Sequence, residues 1–320
     1  MKKIKCMVVG LGRIGLLYDS YRFPKQIWTH SKAISKNKNF ELYLGIDPNP
    51  KNLQIFKKRF PNARAYKRIE DVPKSILVDI CIVSTPGDNH LLSIKKLIKK
   101  FNPKLVFCEK PIEYSLKKAK KLINLCTKSN IKLRVNYIRR CDPSAQKIKK
   151  FIKKNQRLNK NLFIHGTVRY SKGLLENGSH FIDLVTYWFG NLIKIEKFKK
   201  NKNFDHDFNL FFKNAKITFL SCNIKNFQNF SIELFFAKYR LRYDYSGDDI
   251  YLNKIIKHKN KVTRNLILNK KKRSIKSQFL IYQKNVMDEL LKVYKNNKSE
   301  KLCTGTEALN VLKIVKRVQG

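Results

Sequence analysis

The stretch MVVGLGRIG, residues 7–15, decides the fold of this chain. An apolar run, IKCMVV at 4–9, leads directly into three glycines with the spacing GxGxxG. Glycines at these positions let the backbone turn tightly, approach a diphosphate and pack a helix against a strand. A helix opening at this turn would present free amides to an anion. The stretch therefore predicts a dinucleotide-binding loop that consists of Gly10, Gly12, Arg13, Ile14 and Gly15.

Short apolar runs alternate with longer helical patterns over the first half of the chain. We predict strands at 4–9, 40–46, 78–84, 104–108 and 132–137, and helices near 13–20, 29–37, 51–59, 89–101 and 115–129. Strands this apolar, joined by helices, are typical of a parallel sheet covered on both faces. Residues 1–143 are therefore predicted to form a doubly wound Rossmann domain of α/β class.

The second half has a different pattern. A helix near 144–154, a strand at 161–170 and a helix at 179–189 precede consecutive strands at 217–224, 230–237 and 239–245. Helices at about 275–296 and 305–319 end the chain. Consecutive strands with short connections predict a large, mostly antiparallel open sheet. We expect residues 144–320 to form one α+β domain that binds substrate and, through its aromatic strands, pairs copies into a dimer or tetramer.

The net charge of +47 would ordinarily suggest a nucleic-acid partner. In LLSIKKLIKKF (91–101), however, the apolar residues recur at helical spacing while the lysines occupy the opposite face. Such runs occur along the whole chain, and Lys, Asn and Ile share A/T-rich codons. We attribute the charge to genome composition and predict no specific nucleic-acid partner.

The seven cysteines include no CxxC pair, so we expect no metal site and a reducing, cytoplasmic location. Lys5 and Arg13 interrupt the apolar start of the chain, which argues against a signal peptide. No apolar run approaches the roughly 18 residues that a membrane span needs. We therefore predict no membrane partner.

Polar residues follow the predicted parallel strands at the edge where a dinucleotide would lie. Asp47 ends the second strand, further from Gly15 than the roughly 20 residues that the motif expects; the excess matches an insertion at 18–30. Asp47 is either a ribose ligand, which would favour NAD over NADP, or a simple Asp-Pro turn. The other candidates at this edge are Ser84, Thr85, Pro86, His90, Glu109, Lys110, Asn136, Arg139 and Arg140.

The motifs GLGRIG, STPGDNH, EKP, VNYIRR and GSHFID occur in the order found in the glucose-fructose oxidoreductase/inositol dehydrogenase (Gfo/Idh/MocA) family. The chain resembles this family from residue 8 to about 190, and EKP and GSHxxD are the most specific matches. The resemblance implies a Rossmann domain, an open-sheet domain and NAD(P)-dependent redox chemistry on sugars or cyclitols.

The resemblance also implies roles for individual residues. Lys110 matches the active-site lysine, Glu109 its neighbour beside the nicotinamide, and His180 the catalytic histidine. Asp183 matches the carboxylate one turn after this histidine, and Glu176 stands where the family usually has Asp. In the family the peptide bond between Lys110 and Pro111 is often cis. We assign Asn136, Arg140 and Asn177 to the substrate, although Arg140 could equally begin the domain connection.

Alcohol oxidation needs a group that stabilises the developing alkoxide and a base that takes the proton. Lys110 and His180 can supply these functions. Without the resemblance, Lys110 could be a surface lysine, and His180 could be a structural residue in the first turn of a helix whose N-cap is Ser179. The alternative to an enzyme is a non-catalytic regulator that senses a dinucleotide or a sugar on the same fold.

Overall fold

The computed structural model of the chain describes residues 3–19, 24–198, 205–222, 227–258, 265–296 and 299–320. It divides into two compact units. The first consists of Met1–Cys141 and Leu280–Leu312, and the second of Asp142–Phe279 and Lys313–Gly320. The predicted boundary at residue 143 lies close to this division, but residues 280–312 belong to the first unit instead of the second.

A seven-stranded sheet forms the centre of the first unit. Its strands are β1 (Ile4–Val9), β2 (Phe40–Ile46), β3 (Arg64–Tyr66), β4 (Ile80–Val83), β5 (Leu105–Cys108), β6 (Lys132–Val135) and β15 (Cys303–Thr304). They lie in the order β15-β6-β5-β4-β1-β2-β3, and all pairs are parallel except β15 with β6. The order 3-2-1-4-5-6 of the parallel strands is that of dinucleotide-binding folds. The predicted Rossmann fold is therefore confirmed.

The helices of the first unit are α1 (His30–Ser35), α2 (Pro50–Arg59), α3 (His90–Phe101), α4 (Leu116–Lys128) and α7 (Tyr282–Tyr294). Three of them begin after capping residues: Thr29, Asn49 and Ser115 accept hydrogen bonds from the first-turn amides of α1, α2 and α4.

The last of these helices, α7, comes from the C-terminal part of the chain. Its apolar face buries Val286, Met287 and Leu290 in the same core as residues of β1 and β5. This shared core explains why residues 280–312 pack in the first unit.

The helix predicted at 13–20 is shorter than expected. Among the described residues, one turn, Arg13–Leu17, follows the glycine loop, and α1 begins at His30 after the insertion. Residues 20–23 lie outside the described residues. Asp19 is buried and accepts hydrogen bonds from the amides of Trp28 and Thr29, so it closes the base of the insertion.

An eight-stranded sheet forms the second unit. Its strands are β7 (Ile164–Tyr170), β8 (Leu192–Lys197), β9 (Phe208–Phe212), β10 (Ala215–Ser221), β11 (Ser231–Phe235), β12 (Tyr239–Asp244), β13 (Asp249–Lys257) and β14 (Leu266–Ser274). They lie in the order β14-β13-β12-β11-β7-β10-β9-β8. Only the pair of β7 and β10 is parallel, which confirms the mostly antiparallel prediction. The helices are α5 (Pro143–Leu158) and α6 (Ser179–Phe189), while α8 (Gly305–Gln319) belongs partly to each unit.

The two faces of this sheet differ in chemistry. Phe208 and Phe219 stack with ring centroids 4.7 Å apart and are fully buried, and Phe181 of α6 is also buried. On β7 the alternate residues His165 and Arg169 are exposed. These aromatic side chains thus lie in the core, while on the opposite face the exposed His165 of β7 pairs with the exposed Phe235 of β11.

The described residues include no helix that is long and apolar enough to span a membrane. All seven cysteines are free thiols, and six of them are buried. Among the described residues, His, Cys, Asp and Glu side chains form no cluster of three that could hold a metal ion.

Candidate functional site

Three neighbouring parallel strands end at the same level of the first unit. The amides of Ser84, Glu109 and Asn136 each donate to a carbonyl of the neighbouring strand, at 2.8 Å in every case. The residues that follow β4, β5 and β6 are therefore fixed by the sheet itself. Ligands of such folds bind at this edge.

The glycine loop is packed tightly at its two ends, Gly10 and Gly15, and is open at its centre, Gly12. A Cβ on Gly10, whose φ is +93°, would lie 2.6 Å from the carbonyl oxygen of Ser84, and one on Gly15 would overlap the carbonyl oxygen of Gly10. A Cβ on Gly12 would meet no atom of the described residues within 4 Å. The Ser84 hydroxyl donates to the Gly10 carbonyl at 2.7 Å and holds the loop against β4. The free space above Gly12 fits a diphosphate.

Arg13 is exposed and Ile14 is half-buried, both in the turn after Gly12. Arg13 therefore places its charge at the surface beside the open centre of the loop. Since the turn has only five residues, it contributes little helix dipole, and this side chain is the cation that the loop itself carries.

Asp47 is buried at the end of β2, and its carboxylate ties two loops together. One oxygen accepts from the amide of Leu11 at 2.7 Å and the other from that of Asn49 at 2.8 Å. A carboxylate oxygen can accept a second hydrogen bond, so the outer lone pairs can still serve a ribose hydroxyl. Asp47 thus holds the turn together, and its carboxylate keeps lone pairs that can accept a hydrogen bond from a ribose.

Two buried polar atoms at this edge lack partners among the described residues. They are the Thr85 hydroxyl oxygen, just after β4, and Oδ1 of Asn136, just after β6. Buried polar atoms are normally hydrogen-bonded, so both point to a polar ligand or water. Together with the open centre at Gly12 they fit a dinucleotide. Pro86, next to Thr85, is exposed.

His90 has a structural position. Its side chain is fully buried at the start of α3, and its ring nitrogens lie 2.8 Å from the Thr85 carbonyl and 3.2 Å from the Ile112 carbonyl. Both nitrogens thus face main-chain oxygens, so His90 shapes the loops and does not present a nitrogen to a ligand.

The Glu109 carboxylate accepts several hydrogen bonds at this edge. Its Oε1 lies 2.7 Å from Nε2 of His30 and 2.6 Å from Nδ2 of Asn136, and its Oε2 accepts from the Lys110 amide at 3.3 Å. Burial acts to raise the pKa of Glu109, but the hydrogen bond and charge of His30, with the bond from Asn136, outweigh it and leave this pKa below its ordinary value. Glu109 therefore remains ionised.

Lys110 is half-buried where the chain leaves β5, and its bond to Pro111 is cis, which confirms the expectation. Its main chain is held by its own neighbour Glu109. Asn136 was predicted to bind substrate; its amide nitrogen is instead bonded to Glu109, and its oxygen is the buried atom described above.

Arg140 is almost fully buried in the first unit. Its guanidinium donates to the Glu307 carboxylate of α8 at 2.7 Å. Burial acts to raise the pKa of Glu307, but the charge of Arg140 and the bonds from Thr304 leave it below its ordinary value. This pair ties α8 to the end of β6, which supports the structural alternative for Arg140.

In the second unit, His180 lies in the first turn of α6 and is half-buried, and Asp183 is fully buried one turn later. Glu176 is exposed in the preceding turn, Leu174–Gly178. The side-chain nitrogen of Asn177 donates to the Lys172 carbonyl at 3.1 Å. The spacing places His180 and Asp183 on one face of the helix.

The prediction of Ser179 as helix N-cap is wrong. Ser179 is the first residue of α6, and its hydroxyl donates back to the Leu175 carbonyl at 2.6 Å. The preceding turn runs into the helix without an extended residue between them, because Gly178 itself has helical angles. No cap is therefore needed at this point.

His30 was not identified from the sequence as a site residue. It opens α1 after the insertion and lies 79 residues from Glu109, so spacing alone could not relate the two. The available signal was a histidine directly after a helix-capping threonine, in a helix that would be expected to cover the sheet.

The first half of the chain matches the model of a known protein family. The model described as oxidoreductase family, NAD-binding Rossmann fold, matches residues 4–137. The match covers the six parallel strands β1–β6, the glycine loop and the Glu109–Lys110 edge described above.

Two inositol 2-dehydrogenases are among the relatives. That of Rhizobium meliloti is 26% identical over 149 residues, which cover 45% of this chain and 39% of the relative. That of Corynebacterium glutamicum is 23% identical over 217 residues, which cover 64% of this chain and 60% of the relative. The matched part thus spans less than two thirds of either relative.

Solved structures share the fold over nearly the whole chain. The WlbA dehydrogenase from Bordetella pertussis, in complex with NADH and UDP-GlcNAcA, has a TM-score of 0.74 at 17% identity and covers 99% of this chain and 96% of its own. The super-repressor mutant of Gal80p from Saccharomyces cerevisiae has a TM-score of 0.77 at 14% identity, with coverage of 99% and 96%. At these identities the likeness shows the fold alone.

Proposed function

Because residues 4–137 match the Gfo/Idh/MocA model, an oxidoreductase family with an NAD-binding Rossmann fold, we propose that this chain is an NAD-dependent dehydrogenase or reductase of that family. Its substrate is a hydroxyl or carbonyl compound of the sugar, cyclitol or sugar-derivative class. The observation that carries the proposal is the loop that is closed at Gly10 and Gly15 but open at Gly12, at the same sheet edge as Lys110.

The cofactor, when bound, accepts or returns the hydride. The loop of Gly10, Gly12, Arg13, Ile14 and Gly15 binds the diphosphate, and Ser84 supports the loop from behind. Thr85 and Asn136 have buried oxygens without partners among the described residues, and these oxygens would accept hydrogen bonds from the nicotinamide half; Pro86 is exposed beside Thr85. His90 acts indirectly by fixing the main chain at Thr85.

Lys110 donates a hydrogen bond to the reacting oxygen and stabilises the alkoxide as hydride leaves the adjacent carbon. His180 takes the hydroxyl proton in oxidation and returns it in reduction. Asp183, one turn along α6, orients the imidazole, with Glu176 as a second carboxylate. Asn177 and Arg140 are retained as candidate substrate residues, and the ion pair of Arg140 with Glu307 makes a supporting role the stronger one for Arg140.

The carboxylate of Asp47 supports a preference for NAD over NADP, since a fixed negative charge beside the ribose repels a 2′-phosphate. Asp47→Asn removes the charge and keeps one of the two side-chain oxygens, so it retains the hydrogen bond from either the Leu11 or the Asn49 amide. We expect the ratio of NADPH to NADH dissociation constants to fall by at least about tenfold, which corresponds to about 1.4 kcal/mol. An unchanged ratio would exclude Asp47 as the discriminating residue.

The inositol 2-dehydrogenase relatives support polyols as the first substrates to test. A panel of cyclitols, sugars, sugar acids and nucleotide sugars, assayed for NAD reduction with wild type and Lys110→Ala, tests the proposal. We expect one class to react, and turnover to be lost in Lys110→Ala with cofactor affinity kept. An active Lys110→Ala variant would remove Lys110 from the mechanism.

The alternative function is a regulator that binds a dinucleotide or sugar without turnover, as the likeness to the Gal80p super-repressor makes relevant. Binding of NADH with no turnover across the whole panel would favour it. We also propose a cytoplasmic, homo-oligomeric protein: its seven free cysteines support the compartment, and the exposed Phe235 on the outer face of its second sheet supports the assembly. Light scattering after gel filtration would give the oligomeric state.

A further inference from the structure

His30 is a fully buried histidine that the proposed reaction does not use. It is the first residue of α1, and its ring meets Phe107 of β5 edge-on, with centroids 5.7 Å apart. Its Nε2 contacts Glu109, whereas its Nδ1 is buried without a partner among the described residues. The contact with Glu109 is therefore the polar interaction that holds this ring in place.

The contact continues from Glu109 to the next residue of the chain. An ionised carboxylate only accepts hydrogen bonds, so the His30 Nε2–H donates to Oε1. The other oxygen, Oε2, accepts from the main-chain amide of Lys110 at 3.3 Å. Asn136, just after β6, also donates to Oε1. One carboxylate thus links α1, β5 and β6 to the backbone of Lys110.

We propose that His30 is a positioning residue: it orients the Glu109 carboxylate, which in turn fixes the main chain of Lys110 at the edge of the sheet. The positioning itself rests on contacts inside the first unit. Its consequence for turnover rests on the proposed function of Lys110. In this account Glu109 acts through Lys110, since three donors already surround its carboxylate.

A matched pair of variants separates positioning from packing. In His30→Gln the side-chain nitrogen reaches about as far as Nε2 and can still donate to Glu109, whereas in His30→Asn it is too short. Both substitutions place an amide in the same buried space. His165→Asn, on the exposed side of β7, is the control for loss of a histidine elsewhere.

The first measurement is amide hydrogen exchange resolved at Lys110, compared with Val106 inside β5. We expect His30→Asn to speed exchange at Lys110 by about tenfold more than at Val106, because local protection is lost without global unfolding. His30→Gln and His165→Asn should leave both rates near wild type. Equal changes at both amides, or no change at Lys110 in His30→Asn, would overturn the proposal.

The second measurement is the separation of kcat from KM. We expect His30→Asn to lower kcat by about 30-fold while KM for NAD stays within about threefold, as for a group needed in the transition state. His30→Gln should recover most of the rate. An unchanged kcat in His30→Asn would overturn the catalytic consequence. If wild type turns over no substrate, the proposed function fails, and the exchange rates at Lys110 still decide the role of His30.

Discussion

The Ser31 hydroxyl donates to the carbonyl oxygen of Gly15 across 2.7 Å and joins α1 to the last glycine of the loop. In a continuous helix this carbonyl would be bonded to an amide four residues later. Here the insertion interrupts the helix. The Ser31 hydroxyl replaces the missing amide donor at the Gly15 carbonyl, and the Arg59 guanidinium donates to the carbonyl of Leu16 at 2.9 Å. The interrupted helix is therefore stabilised from outside.

The Ser31 contact predicts a local cost of removal. Ser31→Ala leaves the Gly15 carbonyl without its buried donor, so the free energy of unfolding should fall by about 1–2 kcal/mol. Ser35→Ala, on the same helix but exposed, is the control and should change stability by less than about 0.5 kcal/mol. Urea denaturation measures both. Equal losses would show that the Gly15 contact contributes nothing specific.

Asp19 should be more sensitive, because its buried carboxylate accepts from two amides and from the Thr29 hydroxyl. We expect Asp19→Ala to lower the free energy of unfolding by about 3 kcal/mol, since bonds to a charged group are stronger than neutral ones. Asp19→Asn should recover part of this loss. A melting temperature unchanged in Asp19→Ala would contradict the closing role of this residue.

The glycines of the loop should separate binding from folding. Gly12→Ala adds a methyl group to open space, so stability should be kept, but affinity for NADH should fall by at least about tenfold because the methyl group occupies the diphosphate position. Gly15→Ala forces a Cβ against the Gly10 carbonyl and should cost about 1–3 kcal/mol of stability. Thermal melts and NADH titrations check the pair; unimpaired binding by Gly12→Ala would contradict the assignment of the loop.

Cysteine reactivity follows from burial. Burial raises the pKa of Cys126 to about 12, and it holds the pKa values of Cys6, Cys81 and Cys108 above the ordinary range as well. Because the thiolate is the reactive form, these groups should not react at neutral pH. We expect a thiol reagent to modify one cysteine, the half-exposed Cys222, in the native protein and seven after denaturation. Fast modification of several thiols in the native state would contradict the described burial.

Glu109 should make the free energy of unfolding depend on pH in the acid range. Burial acts to raise its pKa, but His30 and the other donors lower it below the ordinary value in the folded state. The folded state therefore binds this proton less readily than the unfolded state, so the stabilisation is present above the ordinary glutamate pKa of about 4.3 and is lost as pH falls through the folded value. Glu109→Gln should flatten the loss of stability below about pH 4.3 in urea titrations. An acid loss identical to that of wild type would contradict this contribution.

Much of the first unit could be predicted because its order of elements is local information. Apolar runs give β1, β2, β4, β5 and β6, and the glycine spacing gives the loop. The short β3 and β15 were missed because strands of three and two residues carry no periodicity. The place of α7 was missed because an amphipathic pattern shows that a face is buried but not which core buries it.

The candidate site divides in the same way. The positions of Gly12, Asp47 and Lys110 follow from strand ends, which the sequence marks. The contact of His30 with Glu109 depends on how far the insertion displaces α1, and this is a property of the tertiary structure. The inward position of Phe208 and Phe219 in the second sheet could not be predicted either. Alternation of apolar and polar residues identifies the two faces of a strand but does not say which face a helix covers.

Titration of the purified chain with NADH and NADPH, followed by nicotinamide fluorescence and repeated with Gly12→Ala, shows whether the glycine loop binds the dinucleotide. We expect saturable binding by wild type, tighter for NADH, and at least about tenfold weaker binding by Gly12→Ala at an unchanged melting temperature. No binding of either nucleotide by the folded wild-type chain, or equal binding by both proteins, would contradict it.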